Sequence, residues 1–213
     1  MNLTTMKQAA QNIFSRLNWK IYKPTLFSII TFLSILPCVL FLPERYAWEN
    51  SFIENAQLFV IFFIFIIALN AKVEKQLFKF IAMVSIILFL REINCGRIFF
   101  PLNNVGSPAF KSWNEILPHP YNYIPNGLFG LFMIYTLAYF FESKAYLQLW
   151  KVLKSAKIDC VNIFFMMFGI VAGTLGENTI HNEMLEETAE TLFYVAFGVL
   201  VYLYGYNKEY KAK

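Results

Sequence analysis

The sequence predicts an all-α fold, a polytopic transmembrane helix bundle of about six spans, and three observations predict it. First, 58% of residues are hydrophobic, 19% aromatic and only 15% charged, where an average soluble domain is about 45–50% apolar. Second, apolar runs of spanning length recur from Pro24 to Tyr206 with no Ser- or Gly-rich linker between them. Third, the charges segregate between alternate loops. Residues 1–213 therefore read as a single integral membrane domain.

Residues 1–22 come first. Met6, Ala10, Ile13, Leu17 and Ile21 recur at three- and four-residue intervals, with Lys7, Gln11, Arg16 and Lys20 elsewhere around the helix. That pattern suits an amphipathic helix lying in the membrane interface. Six candidate spans follow, at about 24–42, 52–70, 77–99, 126–142, 159–176 and 184–206; a helix needs about 20 mostly apolar residues to cross. The first has the basic flank of a signal peptide, but its apolar run is long and nothing like A-x-A follows Leu42. It is expected to remain as an uncleaved span.

An even number of spans puts both termini on one side, and Lys and Arg accumulate in cytoplasmic loops. With the N-terminus inside, 14 of the 18 bases fall on the cytoplasmic side and 10 of the 14 acids on the other. The expected topology is N-in/C-in, with residues 101–125 extracytoplasmic. The basic balance reports orientation and gives no reason to expect nucleic acid.

The stretch LREINCGRIFF, residues 90 to 100, breaks the apolar pattern of the third span. Counted from Phe78, Arg91 lies roughly 20 Å and Arg97 roughly 28 Å up a hydrocarbon core of about 30 Å. On a continuous helix Arg91, Asn94 and Arg97 share one face, with Glu92 beside it. Two other spans bring acids to the same height. Glu54 and Gln57 share a face of the second, and Glu183, Glu186, Glu187 and Glu190 fall on one arc of the last. A charge in hydrocarbon is costly, so these groups are expected to face one another in the bundle.

A cluster near the outer surface follows, with Arg91 and Arg97 set against Glu54, Glu92, Glu187 and Glu190, and with Gln57 and Asn94 as further ligand-binding candidates. Plainer roles fit the same residues. Acids in the first turns of a helix complement its positive end, Asn182 or Thr179 suits its N-cap, and Arg91, Glu92 and Arg97 suit an ion network that only locks helices together. Glu54 and Gln57 equally suit interhelical hydrogen bonding.

The connection 101–125 is longer than the roughly 12–15 residues beyond which loops tend to be functional or disordered. Five prolines stiffen it, and Phe110, Trp113, Tyr121 and Tyr123 suit the headgroup belt. It reads as a lid over the cluster or as an interfacial segment. His119 and His181 both fall on the outer side and, with Glu183, are the weak candidates for a metal. There is no H-E-x-x-H and no third histidine, so neither metal nor cofactor is expected. Cys38, Cys95 and Cys160 read as buried free thiols, a Cys38–Cys95 disulfide being conceivable by depth.

Familiar membrane-enzyme patterns fail: position 191 is Thr where E-E-x-x-x-R needs Arg, and no G-x-S-x-G is present. The segments EINCGR, from Glu92, and ENTIHNEMLEE, from Glu177, resemble those of a group of uncharacterised bacterial multi-pass membrane proteins. The resemblance implies an inner (plasma) membrane protein of bacterial type and brings no activity with it. Three classes of function remain. The foremost expectation is binding of a lipid headgroup or a partner membrane protein through the outer cluster. An alternative is a membrane-embedded hydrolase or transferase acting on a lipid or lipid-linked substrate, with Glu187 or Glu190 as general base. The third is a proton- or cation-linked transporter, disfavoured because the inner halves of the spans hold almost no ionisable groups.

Overall fold

The computed structural model describes residues 14–48, 51–102 and 110–210. Among the described residues seven helices carry the fold: α1 Thr25–Phe41, α2 Phe52–Asn70, α3 Lys75–Glu92, α4 Ile124–Glu142, α5 Ala145–Ser155, α6 Cys160–Leu175 and α7 Glu183–Tyr206. Each of the six expected apolar runs forms a helix. Four segments are long and apolar enough to cross a membrane, namely Phe52–Asn70, Tyr121–Glu142, Cys160–Ile180 and Glu183–Tyr206. The protein is therefore a multi-pass membrane protein. Helix α1 is shorter, at 17 residues, and α3 carries Lys75, Lys79, Arg91 and Glu92 within its 18.

Helix α7 is the hub. It packs against α6, α2 and α1, while α3 packs on α2 and α4 on α3. One apolar core joins α2, α3 and α7 through Ile64, Ala68, Phe78, Ala82 and Val201; a second joins α1, α6 and α7 through Ile35, Phe165, Leu192 and Ala196. The opposite surface is lipid-like. Phe27, Leu33, Phe59, Phe63, Leu131 and Ile134 are all more than half exposed, and α4 buries almost nothing within the chain.

Small residues set the closest helix pair. A Cβ on Gly169 of α6 would stand 2.7 Å from the Ala189 carbonyl oxygen and 2.8 Å from the Phe193 nitrogen, both backbone atoms of α7. Gly176 meets the Glu186 backbone in the same way, at 2.8 Å. Without a hydrophobic drive between helices in lipid, such close backbone approach is how spans associate. A π-helical turn, Gly176–Ile180, links α6 to α7.

The third span differs from expectation. Its helix stops at Glu92, because Asn94, Cys95 and Gly96 take left-handed φ of 47°, 52° and 95°. Asn and Gly tolerate that region best, and a helix cannot continue through it. Residues 94–99 form a separate 3-10 turn.

Part of the expected N-terminal helix also gives way. Residues 1–13, with Met6, Ala10 and Ile13, lie outside the described residues, but Leu17–Asn18 form a two-residue strand β1, parallel to β2 at Ile158–Asp159. Arg16 explains the departure: its Nε donates to the Ala156 carbonyl at 2.9 Å and its Nη2 to the Leu153 carbonyl, tying the segment to the end of α5.

This pairing belongs to a knot that holds the two ends of the described chain together. Buried Asp159 caps α6 by accepting from the Asn162 backbone N–H at 2.8 Å, and it accepts from the buried Tyr210 hydroxyl at 2.8 Å. Asn18 Nδ2 donates to that hydroxyl at 2.8 Å. Asn162 extends the network to α1, donating to Thr25 Oγ1 at 3.1 Å and accepting from Ser28 Oγ at 2.7 Å. Burial and the neighbouring Asp159 push the Tyr210 phenol up. Outside it, Lys20, Tyr22 and Lys157 hydrogen-bond to Glu209 and hold its carboxyl down to about 2, while Glu209 raises Lys20 in turn.

Helix α5 escaped the sequence reading. It is amphipathic: Ala145 is fully buried, Gln148 Oε1 accepts from the Leu77 N–H at 2.9 Å at the start of α3, and Lys151 pairs with Glu74 at 3.1 Å. Leu147, Trp150 and Leu153 point outward.

Candidate functional site

The polar groups of α2, α3 and α7 meet at the end of the bundle opposite the knot. Each is delivered by a helix terminus. Asn182 caps α7 by accepting from the Leu185 N–H at 2.8 Å, which starts the helix so that Glu186, Glu187 and Glu190 fall in its first two turns and favour its positive end. Glu54 lies in the first turn of α2, and Arg91 and Glu92 end α3.

Hydrogen bonds and ion pairs centred on Arg91, Tyr194 and Gln57 build the cluster. Arg91 Nη2 donates to Glu190 Oε1 at 2.8 Å, and its Nε lies 3.9 Å from Glu92 Oε1. The Tyr194 hydroxyl donates to Glu92 Oε1 at 2.6 Å. Gln57 Nε2 faces three acceptors, Glu187 Oε2 at 2.8 Å, the Glu187 carbonyl at 2.9 Å and Thr191 Oγ1 at 3.2 Å. Glu54 is buried one turn before Gln57, and Glu54 and Glu92 both lie within electrostatic reach of Glu187.

Several expected members are thus brought together: Glu54, Gln57, Arg91, Glu92, Glu187 and Glu190. Tyr194 and Thr191 are additions; their signal was their place one turn beyond Glu190 and Glu187 on α7. Two members are not brought in. The left-handed turn at 94–96 carries Arg97 off the Arg91 face, and Arg97 Nη2 donates to Asn94 Oδ1 at 2.9 Å; among the described residues it has no acid partner. The shared face of Arg91, Asn94 and Arg97 does not form. Arg91 itself is less enclosed than expected, with 57% of its side chain exposed.

The metal candidates fare similarly. Among the described residues no group of three or more His, Cys, Asp or Glu comes together, so His119, His181 and Glu183 do not assemble a ligand set. Cys38, Cys95 and Cys160 are all free. In the long connection, residues 103–109 lie outside the described residues; the rest folds back on itself. Pro101 bridges Phe110, Ser112 caps the turn Trp113–Ile116 with Glu115, and that turn packs on Tyr121–Tyr123 at the start of α4.

An apolar groove of about 260 Å³ opens beside the cluster, lined by Ile61, Phe62, Phe65, Ser85, Ile86, Phe89 and Leu90. Phe89 and Leu90 immediately precede Arg91 and Glu92, and Ile61 stands one turn beyond Gln57. The groove therefore runs along α2 and α3 away from the polar end, toward the bundle's middle.

Chemically, the Arg91 guanidinium meets Glu190 and Glu92, the Glu187 carboxylate takes a hydrogen bond from Gln57, and Glu54 lies buried nearby. The cluster is suited to hold polar or charged groups by hydrogen bonds. Comparison with known families, with curated proteins and with solved structures yields no match to this chain.

Proposed function

We propose that this protein binds a membrane lipid, with the headgroup at the polar cluster and an acyl chain in the α2–α3 groove. The observation that carries the reading is the adjacency of the two: the groove's Phe89 and Leu90 immediately precede Arg91 and Glu92 on α3, and its Ile61 stands one turn beyond Gln57 on α2. That is the shape of an amphiphile. A lipid ligand also accounts for Arg91, whose side chain is more than half exposed with one N–H group committed to Glu190.

Gentle detergent extraction followed by native mass spectrometry tests this. One co-purified phospholipid per chain is expected, and Ile86→Trp, which fills the groove, should remove it while the protein stays monodisperse. Equal lipid retention by wild type and Ile86→Trp would exclude the groove as the acyl site. A partner-binding or enzymatic role gains no comparable feature.

The same reading has six spans, α1 to α4, α6 and α7, with both ends of the chain cytoplasmic in a bacterial-type inner membrane. The knot supports an even number of crossings, since Asn18 and Tyr210 share a hydrogen bond, and the charge segregation supports the orientation. Lys111→Cys in an otherwise Cys-free variant should be modified by a membrane-impermeant thiol reagent added from outside. Modification only from the cytoplasmic side would invert the topology.

A further inference from the structure

We infer that the headgroup is that of an aminophospholipid, a phosphate ester carrying a protonated primary amine; this rests on the lipid-binding reading above. The first ground is charge. Arg91 pairs with Glu190 and stands 3.9 Å from Glu92, and the Glu187 carboxylate beside them is held by Gln57, so three acids meet one guanidinium and the cluster favours a ligand with positive charge or N–H donors over a purely anionic one.

The second ground is independent of the acids. Gln57 is fully buried, and the orientation of its amide is determined by its neighbours. Nε2 faces the Glu187 carbonyl, the Glu187 carboxylate and Thr191 Oγ1, and the Thr191 hydroxyl already donates to the Glu187 carbonyl at 2.8 Å. A flipped amide would set its oxygen against three acceptors. In the orientation found, Oε1 has no hydrogen-bond partner among the described residues. A buried acceptor without a donor costs about 1–3 kcal/mol, and this one belongs to the amide whose nitrogen holds the Glu187 carboxylate.

A protonated amine entering beside Glu187 satisfies both at once, giving the carboxylate a cation and Oε1 an N–H. A quaternary ammonium has the charge but no N–H, and a glycerol headgroup lacks the charge. The phosphate falls to Arg91, whose side chain is 57% exposed and uses Nη2 on Glu190. The two ends of the headgroup thereby meet opposite charges on α3 and α7.

The test adds phospholipids with identical acyl chains, bearing ethanolamine, choline or glycerol headgroups, to delipidated full-length protein and counts adducts by native mass spectrometry. The ethanolamine lipid should bind about tenfold more tightly than the choline lipid, the loss expected for one charge-assisted hydrogen bond. Gln57→Leu should reduce that preference, and Glu187→Gln, which keeps shape and removes charge, should do the same if Gln57→Leu does not fold. Equal binding of ethanolamine and choline lipids, or preference for the glycerol lipid, overturns the aminophospholipid while leaving lipid binding in place. Binding of none of the three overturns both. Soluble phosphoethanolamine that binds as tightly as the lipid would overturn the groove's part in recognition.

Discussion

Gly169→Leu will strip the bundle of its tightest interface. A Cβ alone would lie 2.7 and 2.8 Å from backbone atoms of α7, and backbone cannot rotate away as a side chain can. Overpacking of this kind costs about 1–3 kcal/mol or more, which for a chain of this size lowers a thermal midpoint by roughly 2–12 °C. Separation of α6 from α7 also moves Gly176 away from Glu186, loosening the turn that starts the acidic helix. Gly130→Leu on α4 is the matched control, because nothing lies within 4 Å of a Cβ there. Thermal shift in detergent decides: equal midpoints for the two variants would mean that α6 and α7 are not in backbone contact.

Asp159→Ala will release the knot. The substitution removes the N-cap of α6, worth about 1 kcal/mol, and leaves the buried Tyr210 hydroxyl and Asn162 amide short of an acceptor, at about 1–3 kcal/mol for a stranded group. A total of about 3 kcal/mol is expected. The C-terminal turn should then become cleavable at Lys208, which Tyr210 otherwise holds against β2 through Asp159. Glu209→Ala offers the contrast, since its pairs with Lys20 and Lys157 are solvent-exposed and such pairs contribute little. Trypsin cleavage at the same rate in Asp159→Ala and wild type would show that the knot does not hold the C-terminal turn.

The helices were legible because hydrocarbon imposes one rule, a long apolar run, on every span. Depth arithmetic also carried far: counting 1.5 Å per residue from opposite ends of α3 and α7 placed Arg91 level with Glu190, and they pair. The same arithmetic failed at Arg97, because it assumed a helix through Asn94-Cys95-Gly96, where the Asn and Gly were a stop signal. Helix α5 was hidden for a different reason. Its lysines were used to assign the side of the membrane, and the three-residue spacing of Leu147, Trp150 and Leu153 went unread. The knot lay beyond reach, since nothing local relates Asn18, Asp159 and Tyr210; only packing brings them together. Gln57 showed as a candidate, but its unmatched oxygen depends on which groups surround its nitrogen.

The hub position of α7 has a consequence for how the protein is made. The helix that joins α1, α2 and α6 is synthesised after all of them, and at about 5–20 residues per second α1 has been complete for on the order of ten seconds before Tyr206 is added. From their own synthesis until residues 187–194 are added, Gln57, Arg91 and Glu92 have no Glu187, Glu190 or Tyr194 to bond. They lie near the ends of α2 and α3, so the part of the bundle they build is completed only when the last helix arrives.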